Sequence, residues 1–152
     1  YPNLIFSDFQ LWINLMRLGY KVTSVKKCFS YRLHQSVSRT TNGMAYQQAF
    51  CRYIEFLIRL AQKDALIKET TRLYGRDFLL YYCEALSHRI LKTAIRQRAI
   101  KVSDFVKTCE SLATELIPGQ DFKPLVKFRI WIAKLLDQTS LGRGLFQLYR
   151  KF

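Results

Sequence analysis

Apolar residues recur at every third or fourth position along most of this chain, the spacing that gives a helix one apolar face. Ser7 and Asp8 precede residues 9–18, where Leu11, Leu15 and Leu18 with Trp12 share a face, and Gly19 stands at the natural stop. The pattern predicts a short capped helix. Residues 20–25 and 29–33 alternate weakly around Lys26-Lys27 and precede a polar run over 35–42, which predicts two extended segments and a loop. From residue 43 the period is helical almost everywhere. A first segment covers 44–64 with Phe50, Ile54, Leu57, Ile58 and Ala61 as its stripe, and a shorter one covers 66–74 before Gly75 breaks it. A third covers 77–98, where Leu79, Tyr82, Cys83, Leu86, Ile90 and Ala94 recur. Ser103 reads as the N-cap of a helix over 104–117 that Pro118-Gly119 ends, and two more helices follow over 122–136 and 140–152, the last interrupted by Gly142 and Gly144. The expected fold is mainly α: a short helix–strand–loop piece over residues 1–42, followed by a helical bundle over 43–152.

Composition narrows the class. The chain has 152 residues, 49% of them hydrophobic, which suits one compact domain or slightly more and leaves no room for pervasive disorder. No apolar run reaches the ~18–20 residues of a spanning helix, and the first residues lack the sections of a signal peptide. The chain opens on Tyr1, and its first periodic segment begins almost at once. The expectation is a piece of a larger protein, with the partner strands of residues 20–33 lying upstream. Cys28, Cys51, Cys83 and Cys109 are too far apart for a paired metal or redox motif, so they read as reduced, mostly buried thiols of a cytosolic protein. The net charge of +14 calls for an anionic partner: a membrane surface, a nucleic acid or a phosphorylated ligand.

The informative stretch runs from Ser7 to Arg39, SDFQLWINLMRLGYKVTSVKKCFSYRLHQSVSR. Its Asp8, Leu11, Trp12, Leu15, Gly19, Tyr20, Tyr31, Arg32, His34, Ser36 and Ser38 fall in a definite order and spacing. In both respects the stretch resembles the C-terminal end of the catalytic domain in inverting family-2 glycosyltransferases of the GT-A fold. There a Glu-Asp pair opens a helix with Leu-Trp, a turn and strand follow, and a Tyr-Arg-x-His element runs into Ser-x-Ser. Ser7 stands here in place of the usual Glu, and Gln35 alone separates His34 from Ser36.

The resemblance implies that Asp8 is the catalytic base. An inverting transfer is a single displacement at the anomeric carbon, so one carboxylate must take the proton of the attacking acceptor hydroxyl. A helix N-terminus favours the ionised carboxylate and restrains its basicity, so positioning must supply much of the rate. On local sequence alone, Ser7 and Asp8 read first as an ordinary helix-capping pair, and the surrounding matches invert that preference. The resemblance further implies that Trp12, Arg32, His34 and Arg39 bind substrate, with Arg32 contacting the nucleotide-sugar diphosphate. It also makes His34 a ligand of a divalent metal, Mn or Mg, whose main ligands belong to an Asp-x-Asp motif outside this chain. Arg32 and His34 are two apart on an extended segment and so share a face. The local alternative makes them a solvated loop cation and a hydrogen-bonded loop histidine. The implied partners are a nucleotide-sugar donor and a glycan or lipid-linked acceptor of bacterial surface polysaccharide or glycolipid synthesis. The chain alone is expected to be inactive, and the parent enzyme cytoplasmic or peripheral on the inner face of the cell membrane.

The basic residues of the helical part form stripes. Arg89, Lys92 and Arg96 follow at helical spacing on the third helix, and Lys123, Lys127 and Lys134 on the fifth, FKPLVKFRIWIAKLL. Aromatic and aliphatic bulk with a cationic edge suits a helix lying in a membrane interface; a core helix with a solvated charged face has the same composition. Nucleic acid is the weaker partner class, because no zinc, helix-turn-helix or RNP-like signature accompanies the charge. A non-catalytic basic helical module that binds membrane or nucleic acid is the alternative reading of the whole chain, and homo-oligomerisation is open. Residues 1–40 carry 6 basic and 1 acidic residue and residues 41–152 carry 19 and 10, so the charge divides between two regions.

Overall fold

A computed structural model of the chain describes residues 6–19, 43–92 and 100–149. Among them are six α-helices, one 3-10 turn and no strand. The helices are α1 (Ser7–Arg17), α2 (Gly43–Ala61), α3 (Ala65–Lys92), α4 (Val102–Leu116), α5 (Phe128–Asp137) and α6 (Ser140–Tyr149), with the 3-10 turn at Pro124–Val126. The mainly α class is therefore observed; the extended segments expected over 20–33 lie outside the described residues. The chain divides into two compact units, Tyr1–Thr41 and Asn42–Phe152.

In the first unit, α1 stops where the sequence places its stop. Gly19 has φ +81° and its N–H reaches the Met16 carbonyl at 3.0 Å, a backbone conformation that residues with a Cβ rarely adopt. The N-cap position falls on Phe6, which has no side-chain oxygen, so Ser7 and Asp8 lie inside the first turn and not at the cap. Phe6 is buried and its ring meets that of Phe9 at 6.1 Å.

The second unit is built around α3, which packs against α2, α4, α5 and α6. Its start is capped by Asp64, whose Oδ1 accepts the N–H groups of Leu66 (3.0 Å) and Ile67 (3.2 Å). The helix then runs unbroken to Lys92, which corrects the expected break at Gly75. A Cβ at residue 75 would stand 2.8 Å from Ile117 Cγ2. Gly75 is there to let the end of α4 approach α3, and a helix tolerates one glycine at a cost of roughly 1 kcal/mol when packing repays it. The core is aromatic: Phe50 is fully buried, with the rings of Phe78, Tyr82 and Phe105 at 6.5, 5.4 and 6.3 Å. Each such pair adds about 0.5–1.5 kcal/mol beyond the area it buries.

Two further expectations are corrected. Ser103 does not cap α4; the helix begins two residues earlier than expected, at Val102, whose N–H donates to Asp137 Oδ2 at 2.6 Å. Nor do residues 122–136 form one helix. Pro124 cannot donate a backbone hydrogen bond and holds the residue before it out of the helical region, with Lys123 at φ −119°, ψ 81°. A 3-10 turn results, and α5 begins only at Phe128. The last helix is not interrupted at Gly142 or Gly144. Its start is held by Thr139 Oγ1, which accepts the Gly142 N–H at 3.0 Å. A Cβ on Gly142 would lie 2.6 Å from the Leu136 carbonyl oxygen, so the glycine permits the tight turn of α6 against the end of α5.

Candidate functional site

In the first unit Asp8 lies in the opening turn of α1, and Trp12 follows one turn later on the same side, its indole 55% exposed. Leu11, Met16 and Leu18 are exposed as well, so the apolar face predicted for this helix is largely open. Helix α1 thus holds an aspartate in its first turn and an exposed tryptophan one turn on. Arg32, His34 and Arg39 lie outside the described residues.

The basic residues of the second unit are placed less uniformly than their spacing suggests. Arg89 and Lys92 occupy the last turn of α3, where cations favour the helix dipole. The Arg89 guanidinium carbon sits 4.3 Å from the centre of the Tyr46 ring, a cation–π contact that ties α3 to α2. Lys92 is exposed, and Arg96 lies outside the described residues. Lys123, Lys127 and Lys134 are not one helical stripe, because only Lys134 is on α5. Lys123 pairs with Asp121 at 2.8 Å in solvent, and Lys127 occupies the N-cap position.

A polar centre that sequence reading missed links α4, α5 and α6. Asp137 and Arg143 are both buried, at 3% and 1% exposure. Arg143 directs Nε and Nη2 at Asp137 Oδ1, while Oδ2 takes the Val102 N–H. Neither Nη1 nor Nη2 has a hydrogen-bond partner among the described residues, Nη2 meeting Oδ1 as an ion-pair contact only. This pair is structural: a carboxylate whose two oxygens cap one helix and hold another leaves no free position for a substrate proton. The sequence signal was slight, namely that Asp137 is the lone acidic residue in 122–152 against seven basic ones.

The thiols are equally inert. Cys51, Cys83 and Cys109 are free, and Cys83 and Cys109 are fully buried. A hydrogen bond with Cys83, then burial, pushes the Cys109 thiol far above its ordinary range, and burial followed by the Glu55 charge raises Cys51. Such thiols make poor nucleophiles at neutral pH. No group of three or more His, Cys, Asp or Glu among the described residues could hold a metal ion.

An open groove of about 440 Å³ lies between α3, α5 and α6, with Leu91, Phe128, Ile132, Leu136, Leu145 and Phe146 on its walls and His88 and Arg129 at its polar edges. Arg129 reaches Glu84 at 3.1 Å, an exposed pair. No helix among the described residues is long and apolar enough to cross a membrane. No protein family, curated protein or solved structure matches the chain.

Proposed function

We propose that the chain is the C-terminal portion of an inverting, family-2 glycosyltransferase of GT-A type that transfers a sugar from a nucleotide-sugar donor to an acceptor hydroxyl. The observation that carries this reading is α1: Asp8 falls inside the first turn of a helix that stops at Gly19, with Trp12 exposed one turn away. Phe6 occupies the N-cap position, so Asp8 is a first-turn residue.

In this reading Asp8 accepts the proton of the acceptor hydroxyl as its oxygen attacks the anomeric carbon, and the nucleoside diphosphate leaves from the opposite face. Trp12 offers a flat apolar surface with a polar N–H to the acceptor sugar. Arg32 stabilises the departing diphosphate, and His34 and Arg39 belong to the same anionic subsite. No step is assigned to the divalent cation, whose main ligands the resemblance assigns to an Asp-x-Asp motif outside this chain. The parent is a cytoplasmic enzyme of surface glycan or glycolipid synthesis.

Asp8→Asn in the full-length enzyme tests the assignment. The expected outcome is loss of transfer by ~10²–10⁴-fold, the usual contribution of general-base catalysis, with nucleotide-sugar binding nearly intact. Unchanged transfer kinetics refute it.

A further inference from the structure

The two C-terminal helices each carry a row of large apolar residues on the exposed side. On α5 the inward positions are Ile130, Ala133 and Asp137, all buried, while Phe128, Trp131 and Leu135 face out with exposures of 69, 48 and 49%. Buried and exposed sets each repeat at three or four residues, so they are opposite faces of one helix. Among the described side chains of α6 the buried residues are Gly142 and Arg143, and Leu141, Leu145 and Leu148 face out at 80, 64 and 57%. Six large apolar side chains thus face out, while Ile130 is buried and Ile132, Leu136 and Phe146 are half-buried along the groove. Phe128 and Leu145, each on the exposed face of its helix, both line the groove between α5 and α6, so the two apolar faces are continuous. The rings of Phe128 and Trp131 stack at 6.1 Å on its outer side. Contiguous apolar surface of this kind marks a contact with something other than water.

Charge decides what that is. Residues 122–152 contain seven basic residues and one acidic residue; Asp137 and Arg143 neutralise each other inside the fold, which leaves six basic residues and no acidic one. On α5, Arg129 and Lys134 flank the exposed arc on either side. A second copy of the chain would have to bring this cationic rim against itself, since a two-fold interface pairs each patch with its own image. An anionic bilayer satisfies both features: the aromatic and leucine side chains enter the boundary between headgroups and acyl chains, and lysines and arginines extend back to the phosphates.

We propose that the α5–α6 hairpin docks the protein on an anionic phospholipid surface. The inference is independent of the role assigned to Asp8. Trp131 reports on it directly. In a Trp12→Phe protein, where Trp131 is the sole tryptophan, vesicles of phosphatidylcholine with phosphatidylglycerol shift the emission to the blue and co-sediment the protein. Phosphatidylcholine alone does so weakly. Rising salt weakens the binding, since only the cationic part is screened. A Phe128→Ser, Leu145→Ser protein binds the mixed vesicles at least about tenfold less well, with helical circular dichroism and melting unchanged because both side chains face solvent. Three outcomes overturn the proposal. One is no binding to the mixed vesicles at ~150 mM salt. Another is a blue shift confined to the reciprocal Trp131→Phe protein, which places the contact on α1. The last is a concentration-dependent dimer that the same serine substitutions abolish while vesicle binding is unaffected.

Discussion

Helices α2 and α5 have similar raw material, aromatic and aliphatic residues at helical spacing with basic residues between, yet they use it in opposite ways. In α2 the stripe Phe50, Tyr53, Ile54, Leu57 and Ile58 is buried, and the cations Arg52 and Arg59 face water. In α5 Phe128, Trp131 and Leu135 face water, and the helix is held by Ile130, Ala133 and the Asp137–Arg143 pair. An apolar stripe reports that a helix has two unlike faces; it does not say which face its neighbours cover. A buried ion pair and a glycine that permits close approach help seat α5 and α6 while leaving the aromatic face free.

The largest effect should come from removing the anchor. Asp137→Ala leaves Arg143 buried without its partner, costing about 3–5 kcal/mol, and withdraws the carboxylate that caps α4, about 1 kcal/mol more. Urea unfolding followed by circular dichroism measures this. Replacing both members, Asp137→Leu with Arg143→Met, removes the stranded charge and recovers a large part of the loss. An Asp137→Ala protein as stable as the parent would show that α5 and α6 are held by their apolar surfaces after all.

Truncating aromatics in the two regions sharpens the contrast. Phe50→Ala empties the centre of the ring cluster and costs about 3–5 kcal/mol, whereas Trp131→Ala changes stability by no more than about 0.5 kcal/mol, as exposed substitutions do. Equal losses at both positions would place Trp131 in a core and remove the basis for a docking face.

The smallest expected effect is a pH dependence confined to the conventional part of the bundle. Burial, then neighbouring Tyr82, pushes the Tyr53 phenol up to about 12 from its usual 10.0, and burial raises Tyr82 as well. The Cys109 thiol is raised from 9.0 by its hydrogen bond with Cys83 and by burial. Each group binds its proton more tightly in the folded than in the unfolded chain. The stability they contribute is therefore complete below about pH 9 and is lost as pH rises through roughly 10–12. Denaturation midpoints across that window should fall, and Tyr53→Phe should flatten the fall between 10.0 and 12. Trp131→Phe should leave the curve untouched.

Local chemistry was legible wherever the chain acts on itself. The stop of α1 at Gly19, the stripe of α2, the turn at Pro118-Gly119 and the helical class all follow from spacing and backbone preference. Reading failed where distant residues meet. Gly75 looked like a break because nothing near it in sequence shows that Ile117 needs its space. Ser103 looked like a cap because Asp137, which caps α4, is 35 residues from Val102. Of the candidate site, Asp8 and Trp12 could be placed on one side of a helix from their spacing alone. The value of that placement depends on residues that the chain's local pattern does not describe.

By itself, then, the sequence determined helix content, most helix ends and an excess of positive charge, because hydrophobic period, turn residues and net charge are properties of neighbouring or summed residues. Only the tertiary structure decided that α3 runs unbroken, that a buried carboxylate joins three helices, and that the apolar faces of α5 and α6 point outward. Which face of a helix is buried depends on the volumes and charges that other helices bring to it, and those meet only when the chain has folded.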